Sequence, residues 1–571
     1  MLIGAELMVQ SLIREGTKAI FGIPGLSNMK FYDVLYDYTK NESIKVILVR
    51  HEQAAAHAAD GYARASGFPG VCTATSGPGA LNLVTGIATA YWDSSPVIAI
   101  TGQVPLSSMG KLSFQEADII GIMQHITKFA IRLSEASEIP KWVKNAFYIA
   151  LTGRPGPVVI DVPRDLWTRN TNGVNIPQAP SIMGYNGFRY RAGLEKVKEA
   201  ISLLINAEKP LIIVGAGVMW SNATNEVLTL SNLLNAPIVS TLLGKAAIPH
   251  DYPLYLGMMG YYGRAEANQA FLESDVVLVI GARISDRTLP SPKDIESKKV
   301  IMVNIDPTDI EKQSFKIDVG LVGDAKNILK DMINALTSLG KKNCKCEWIR
   351  RLIELKEYYE AMYYQDDGKG LKPWRVLKTL RDVLPKDTIA TTGVGQHQMW
   401  TALFWDVLKP RTFITSGGMG TMGFGLPAAI GAKVAKPDST VVNLDGDGSF
   451  LMTANNLPVA IEENLPVISI IFDNRVLGLV RQVQEMFFNG REFSVDLGYK
   501  TDFVKLAESF GALGFDAQSY EDLATAVKKA LRENIATVIR VPIPRDEPAL
   551  PTLPPGGSLK EMIIRASRKT G

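Results

Sequence analysis

The chain reads as an α/β protein of three doubly wound parallel-sheet domains, and three observations predict it. Short β-branched apolar runs recur along its length, among them Val46 to Val49, Val71 to Thr75, Val276 to Ile280, Val441 to Leu444 and Val467 to Phe472, as strands buried on both faces require. Helical segments alternate with these runs, which is the pattern of parallel strands joined by crossovers. A length of 571 residues accommodates about three or four such units.

The first unit, 1–170, opens with an amphipathic helix, Ala5 to Glu15, that sets Ala5, Met8, Val9, Leu12 and Ile13 on one face. Strands follow at Ala19 to Ile23 and Val46 to Val49, then a long helix of small residues from Glu52 through Ala65. Val71 to Thr75 leads into SGPGALNLVTG, and strands at Pro96 to Thr101 and Val158 to Val162 close the set. Asn170 to Arg191, rich in Asn, Pro and Gly, reads as a linker. The second unit, 190–340, runs from the helix Leu194 to Ile205 through strands at Leu211 to Val214, Val276 to Ile280 and Val300 to Ile305, ending near Gly323-Asp324. A charged helix from Glu347 to Tyr364 connects it to the third unit, 370–545, whose layout repeats the first in outline. In the tail, 546–571, prolines and glycines predict a loop, and the apolar residues between them predict that it lies on another surface.

Composition narrows the function. The chain is 46% hydrophobic and 21% charged, the make-up of a soluble globular protein, and its formal charge of +3 with no basic run interleaved with aromatics argues against nucleic acid as a partner. Its apolar runs are far too short to span a bilayer, so no membrane is expected. The first residues lack the basic leader and cleavage site of a signal peptide. Three cysteines, two of them Cys344 and Cys346, make neither a disulfide framework nor a four-ligand zinc site, and a cytoplasmic location is expected.

The chemistry concentrates in the third unit. The strand VVNL ends in Asp445-Gly-Asp-Gly-Ser, and the strand VISIIF ends in Asp473-Asn474, with 24 residues between Gly448 and Asp473. That length holds one crossover helix, so the two strand ends are expected side by side, with Asp447 and Asn474 within reach of one ion. An oxygen-only pair beside a helix N-terminus suits Mg²⁺ holding a diphosphate, although DGDG also serves as an ordinary strand-to-helix turn. In the first unit, Glu52 follows the strand VILVRH and starts a helix, which either presents a desolvated carboxylate at a sheet edge or merely complements the helix dipole.

These stretches do not stand alone. FGIPG at 21–25, RHEQ at 50–53, ATSGPGALNLVTG at 74–86, ITGQVP at 100–105, FQE at 114–116, GRPGPVVIDVP at 153–163, TGVGQHQMW at 392–400, SGGMGTMGFGLPAAIGA at 416–432 and LPPGGS at 553–558 follow one another in order. Together with the strand-end pair they resemble the acetolactate synthase (acetohydroxyacid synthase) catalytic subunit, a thiamine diphosphate (ThDP) enzyme.

The resemblance implies roles residue by residue. Glu52 would hydrogen-bond the cofactor pyrimidine, Met422 would wedge beneath the cofactor, and the Gly420 carbonyl would meet the pyrimidine amino group. Gly25, Val394, Gly395, Gln396, His397, Gly448 and Ser449 would line the cofactor, and the Val476 carbonyl would join Asp447 and Asn474 around Mg²⁺. The first Asn of the family's NN pair is Asp473 here, a departure. Gly418 to Gly423 also fits GxGxxG, but no acidic residue about 20 positions on completes a dinucleotide site, so the ThDP loop explains it better. In the second unit the resemblance implies FAD, with Gly215, Gly217, Arg283, Asp306 and Asp324 around it. The chain reads Arg283-Ile-Ser-Asp-Arg287 where flavin-binding members read RFDDR, and related ThDP enzymes keep this domain without a flavin. Gln115 and Arg287 would handle the second keto acid. Val483 stands where the synthases usually carry a Trp that favours 2-ketobutyrate.

The implied activity is decarboxylation of pyruvate and carboligation to a second 2-keto acid, giving 2-acetolactate or 2-aceto-2-hydroxybutyrate on the way to branched-chain amino acids. It would run in a homo-oligomer, at least a dimer and in some arrangements a tetramer, with room for a regulatory small subunit. The alternatives are a related enzyme, such as a pyruvate oxidase or 2-hydroxyacyl lyase, and a non-catalytic homologue, against which Glu52, Asp447 and Asn474 argue.

Overall fold

The structure, a computed structural model, describes residues 2–185, 187, 190–339, 346–498 and 500–565. Cys344 and parts of the 170–191 linker lie outside them. Eighteen strands among these residues form three six-stranded sheets, and every neighbouring pair is parallel.

The first sheet contains β1 (Ala19–Gly22), β2 (Lys45–Leu48), β3 (Gly70–Ala74), β4 (Val97–Gln103), β5 (Phe129–Arg132) and β6 (Val158–Pro163), in the order β2-β1-β3-β4-β6-β5. The second contains β7 (Pro210–Val214), β8 (Ile238–Ser240), β9 (Tyr255–Met258), β10 (Val276–Ile280), β11 (Lys299–Asn304) and β12 (Val319–Val322), in the order β12-β11-β10-β7-β8-β9. Counted from its own first strand this is the 3-2-1-4-5-6 arrangement of dinucleotide-binding folds read from the other edge. The third contains β13 (Ile389–Thr392), β14 (Phe413–Ile414), β15 (Val441–Gly446), β16 (Val467–Asp473), β17 (Leu513–Asp516) and β18 (Thr537–Pro542), in the order β14-β13-β15-β16-β18-β17. Its order is that of the first sheet strand for strand, so the outline repeat seen in the sequence is a repeat of topology.

Small residues let the first and third units share a core. The Glu52–Ser66 helix lies against the Gly425–Ala435 helix so closely that a Cβ on Gly61 would stand 2.6 Å from Ala428 Cα, and one on Gly431 would stand 2.6 Å from the Ala58 carbonyl carbon. One apolar cluster runs from Phe21, Ala55 and Ala59 of the first unit to Leu426, Phe450, Leu457 and Val538 of the third. The second unit buries a separate core between its own helices and strands, with Val214, Leu230, Ile280 and Met332 in it.

Two expectations need correction. The crossover between β15 and β16 is not one helix but the Asp447–Leu451 helix, a 3₁₀ turn and the Leu457–Glu462 helix, because Asn455, Asn456 and Pro458 interrupt the run. The sequence reading also lacks several strands, of which β14 with two residues and β8 with three are too brief to show a period, whereas the six-residue β18, Thr537–Pro542, has the β-branched apolar run of the others. The tail does lie on another surface: Leu553 and Leu559 are buried in the second unit, and Asp294 accepts hydrogen bonds from Ser558 Oγ at 2.6 Å and Leu559 N at 2.8 Å. Among the described residues no helix is long and apolar enough to cross a membrane.

Candidate functional site

In open parallel sheets, ligands bind beyond the carboxyl ends of the strands where the strand order reverses. In the first sheet that point lies between β1 and β3, flanked by the FGIPG and TSGPG loops. In the third it lies between β13 and β15, flanked by Gly393 to Gln396 and by Asp447 to Ser449. The candidate residues therefore gather at two topologically matching sites.

At the first, Glu52 is the first residue of its helix and is 8% exposed. His51 caps that helix, its Nδ1 accepting from Gln53 N at 3.2 Å, and Asn82 Nδ2 donates to Glu52 Oε2 at 2.9 Å. Gly25 donates its N–H to Asn28 Oδ1 at 2.7 Å, and a Cβ there would meet Thr75 at 2.5 Å, so the loop needs glycine to lie on its neighbour. Gln115 sits at φ +61° in a loop tied by Glu116, which accepts from Gly110 N at 2.5 Å and Ser113 N at 3.0 Å. The loop reaches the sheet through Gln103 Nε2, which donates to the Ala117 carbonyl at 2.9 Å.

At the second, β15 and β16 pair from Val441 with Val467 to Gly446 with Phe472, so their ends are adjacent as the spacing requires. Asp447 Oδ2 accepts from Arg475 N at 2.6 Å and its Oδ1 from Gly448 N at 2.8 Å. Burial, and then the neighbouring Asp473, pushes its carboxyl well above the usual carboxylate range, an environment that favours a cation beside it. Asn474 Nδ2 donates to Gln396 Oε1 at 3.0 Å, which leaves the Asn474 carbonyl oxygen directed elsewhere, with Val476 N at 3.4 Å from it. Val476 bridges Asp496 through Leu477 N to Val495 O and Leu497 N to Arg475 O, and neither bond uses the Val476 carbonyl. One carboxylate, one amide and one free backbone carbonyl suit a hard cation that completes its shell with phosphate and water oxygens. Among the described residues no group of three His, Cys, Asp or Glu converges as an all-protein metal cage. Asp473 itself pairs with Arg540, Nε to Oδ2 2.5 Å.

Several expected cofactor residues turn inward. Gln396 also donates to Gln482 Oε1 and the Glu547 carbonyl, both at 3.0 Å, and so braces Asn474. His397 is buried, held neutral by desolvation that pushes its pKa down to about 3. Ser449 Oγ accepts from Val394 N at 3.4 Å and Gly423 N at 3.0 Å, joining the two loops. Gly420 takes φ +64° on an exposed turn, and half-buried Met422 stands near Gly448, its Cε 3.8 Å from where a Gly448 Cβ would lie.

A cavity of about 1740 Å³ runs from the carboxyl edge of the second sheet to the Gly420 turn. Gly217, Arg283, Asp324, Arg287, Gly420 and Val483 border it. Gly215 and Gly217 serve a close crossing, since a Cβ on either would stand 2.6 to 2.7 Å from Ala282 or Gly281. Arg283 donates to the Trp92 carbonyl and lies over the Trp92 ring at 5.7 Å. Asp324 accepts from Ser221 Oγ at 2.9 Å, while Asp306 caps the following helix through Thr308 N at 2.9 Å and does not border the cavity. Arg287 is 69% exposed on its side chain, over the Tyr261 ring at 5.2 Å and 3.8 Å from Asp286.

Glu52 and Gln115 do not border the cavity, and among the described residues no hydrogen bond or ion pair links Glu52 to Gly420, Met422 or Asp447. Asn82, Gln482 and Asp93 are functional positions that no motif in the sequence singles out. Asp93 alone carried a signal, an acidic residue ending a helix against the dipole.

Three family models match the chain in the same order as its sheets: thiamine pyrophosphate enzyme, N-terminal TPP binding domain over 3–122; central domain over 197–332; and C-terminal TPP binding domain over 393–541. The probable acetolactate synthase large subunit of Methanocaldococcus jannaschii is 46% identical over 569 residues, covering 98% of this chain and 95% of that one. The chain belongs to the acetolactate synthase large-subunit family. The family likeness extends to the isozyme 3 large subunit of Escherichia coli K12, 38% identical over the whole of both chains, and to the large subunit of Corynebacterium glutamicum, 39% identical over 94% of this chain and 86% of that one. Members of this family are thiamine pyrophosphate enzymes, and the three-domain α/β expectation holds throughout.

Proposed function

We propose that the chain, with ThDP and Mg²⁺, decarboxylates pyruvate and joins the remaining two-carbon unit to a second 2-keto acid, forming 2-acetolactate or 2-aceto-2-hydroxybutyrate for branched-chain amino acid synthesis. The observation that carries the reading is the matched pair of switch points, one presenting the buried Glu52 and the other Asp447 with Asn474, in a chain of this family. ThDP, when bound, supplies the electron sink for the carbanion that decarboxylation leaves. Glu52, oriented by Asn82, would hold a proton at a pyrimidine ring nitrogen. Asp447, Asn474 and the Val476 carbonyl would hold Mg²⁺ against the diphosphate, with Gly448 and Ser449 beside it. Gly420 and Met422 would hold the pyrimidine and bend the cofactor. Arg287 offers a planar guanidinium to the carboxylate of the second keto acid, and Gln115 an amide to its oxygen.

The complete site is read as shared between two copies, since among the described residues of one chain no hydrogen bond or ion pair joins Glu52 to Gly420, Met422 or Asp447; a homodimer is then the smallest active form and a tetramer its doubling. Leu112 and Phe114 beside Gln115, and Met419 and Met452 beside the other half, are exposed and give such a contact apolar surface. FAD is proposed for the cavity edge formed by Gly217, Arg283 and Asp324, where the second sheet has the dinucleotide-binding strand order. A regulatory small subunit and a cytoplasmic setting complete the proposal. The test is to incubate the purified chain with ThDP, Mg²⁺ and pyruvate, with and without 2-ketobutyrate, and identify the products. Acetolactate from pyruvate alone supports the reading, whereas acetyl phosphate with peroxide, an aldehyde, or no turnover refutes it.

A further inference from the structure

The turn from Ser416 to Met422, which carries Gly420 and Met422, is held from the first unit of the same chain. Asp93, 3% exposed at the end of the Val84–Trp92 helix, accepts from Gly417 N at 3.1 Å on Oδ2 and from Gly418 N at 2.6 Å on Oδ1. Arg64 Nη2 donates to the same Oδ2 at 2.9 Å, and its Nη1 donates to the Thr415 carbonyl at 2.7 Å. Arg64 is itself clamped by both oxygens of Asp60, each at 2.7 Å. One turn earlier, Thr89 Oγ1 meets Thr421 Oγ1 at 2.7 Å.

A carboxylate at a helix C-terminus opposes the dipole and is unfavourable there unless donors surround it. Here two backbone N–H groups and a guanidinium do so, and a buried hydrogen-bonded charge of this kind fixes its partners firmly. Gly418, Met419 and Gly420 are exposed, and the turn borders the cavity together with Asp93 and Gly417. Glycine is needed at 418 because a Cβ there would stand 2.8 Å from Asp93 Oδ1. Arg64 and Glu52 share one helix and are separated by about 18 Å at 1.5 Å per residue, so in a shared site the anchor of this chain's turn and the Glu52 it offers to the other copy are carried on one rigid element.

We propose that Asp93, backed by Arg64 and Asp60, is a positioning residue for catalysis, setting where the Gly420 carbonyl and Met422 stand beneath the cofactor; the proposal rests on the ThDP reading above. It acts through the Gly417 and Gly418 N–H groups that it accepts from. Asp93→Asn keeps one acceptor oxygen but turns an amide toward the other N–H and weakens the Arg64 pair. Asp93→Ala removes every bond.

The experiment makes both variants, with Thr89→Val, in the full-length chain. It measures hydrogen–deuterium exchange across 413–424 without cofactor, ThDP affinity at fixed Mg²⁺, and kcat and KM for pyruvate per cofactor-loaded site. Exchange confined to this turn should quicken at least tenfold in Asp93→Asn and further in Asp93→Ala. A turn displaced by about 1 Å should lower kcat by about 100-fold, with KM for pyruvate within threefold of wild type. Thr89→Val should give smaller changes of the same kind, and it remains informative should Asp93→Ala not fold. Wild-type exchange at the turn in every soluble variant, or raised exchange spread over the whole chain with wild-type kcat per loaded site, overturns the proposal. Failure of the wild type to make acetolactate would instead strike the functional reading, while exchange and ThDP affinity would still decide the role of Asp93.

Discussion

Gly431→Ala tests the closest approach in the molecule. The added Cβ would overlap the Ala58 carbonyl oxygen and lie 2.6 Å from its carbonyl carbon and 2.9 Å from Ala58 Cα, where carbon atoms ordinarily pack at about 3.5–4.0 Å. The two helices must therefore part by roughly 1 Å along a contact that also carries Gly61 on Ala428. Both flanks are backbone inside a filled core, so no side chain can swing away, and the cost belongs at the upper end of the overpacking range, about 3 kcal/mol. Parting these helices also carries the Glu52 helix away from its place. Urea unfolding followed by intrinsic fluorescence should show the transition shifted to lower denaturant, with ThDP-dependent turnover reduced alongside it. Gly193→Ala is the control: nothing lies within 4 Å of its Cβ position, and although it caps the Leu194–Asn206 helix its effect should stay within about 1 kcal/mol. A wild-type urea midpoint and turnover in Gly431→Ala would refute the reasoning, because the helices would then have slack that the geometry denies.

Glu52→Gln should bind ThDP normally and lose carboligation by about 10²–10⁴-fold, measured as acetolactate formed; a loss under about tenfold would remove Glu52 from the proton step. Asp447→Ala should weaken ThDP and Mg²⁺ binding together in calorimetric titration, and unchanged affinities would place the ion elsewhere. Val483 borders the cavity near Phe488, which is 52% exposed, so Val483→Trp should add an apolar wall there. With both acceptors at equal concentration the ratio of acetohydroxybutyrate to acetolactate should rise by about tenfold or more, and an unmoved ratio would locate selectivity elsewhere. His57 is buried and its pKa is pushed down to about 4, mainly by desolvation. The unfolded chain takes up that proton first, so stability is full above about pH 6.5 and falls as pH drops towards 4, by roughly 3 kcal/mol. His57→Gln should reduce that slope in thermal melts across the window without abolishing it, because buried His397, whose pKa is pushed down to about 3, contributes in the same direction.

The parts legible in the sequence were those where one residue type does one local job. Val441 to Leu444 and Val467 to Phe472 are buried on both faces, so their apolar runs announced strands, and the spacing to Asp447 and Asn474 followed from adjacency in a parallel sheet. The Glu52 helix was equally plain, because its alanines admit no other element as well. What escaped was set by tertiary contact. Gln396 looked like a cofactor residue from its motif, yet its side chain is spent on Asn474, Gln482 and Glu547, a fact that depends on which helix end meets which strand end. The Asp93 clamp on Gly417 and Gly418 joins residues more than 300 positions apart, and no period or turn rule reaches that far. The repeat of the first unit in the third shows in the sequence only as an outline of alternating elements, and the identical strand order emerges from the chain path.

The core that joins Phe21 and Ala55 to Leu426, Phe450 and Val538 has a consequence for how the molecule comes apart. Three sheets do not make three cooperative units when two of them bury the same apolar surface. The first and third units should melt in a single step, while the second, with its own interior, can open separately. A ribosome finishing the first unit would then release a segment whose inner helix face has no cover until several hundred further residues have emerged. That interval is the one in which the nascent chain would need a chaperone.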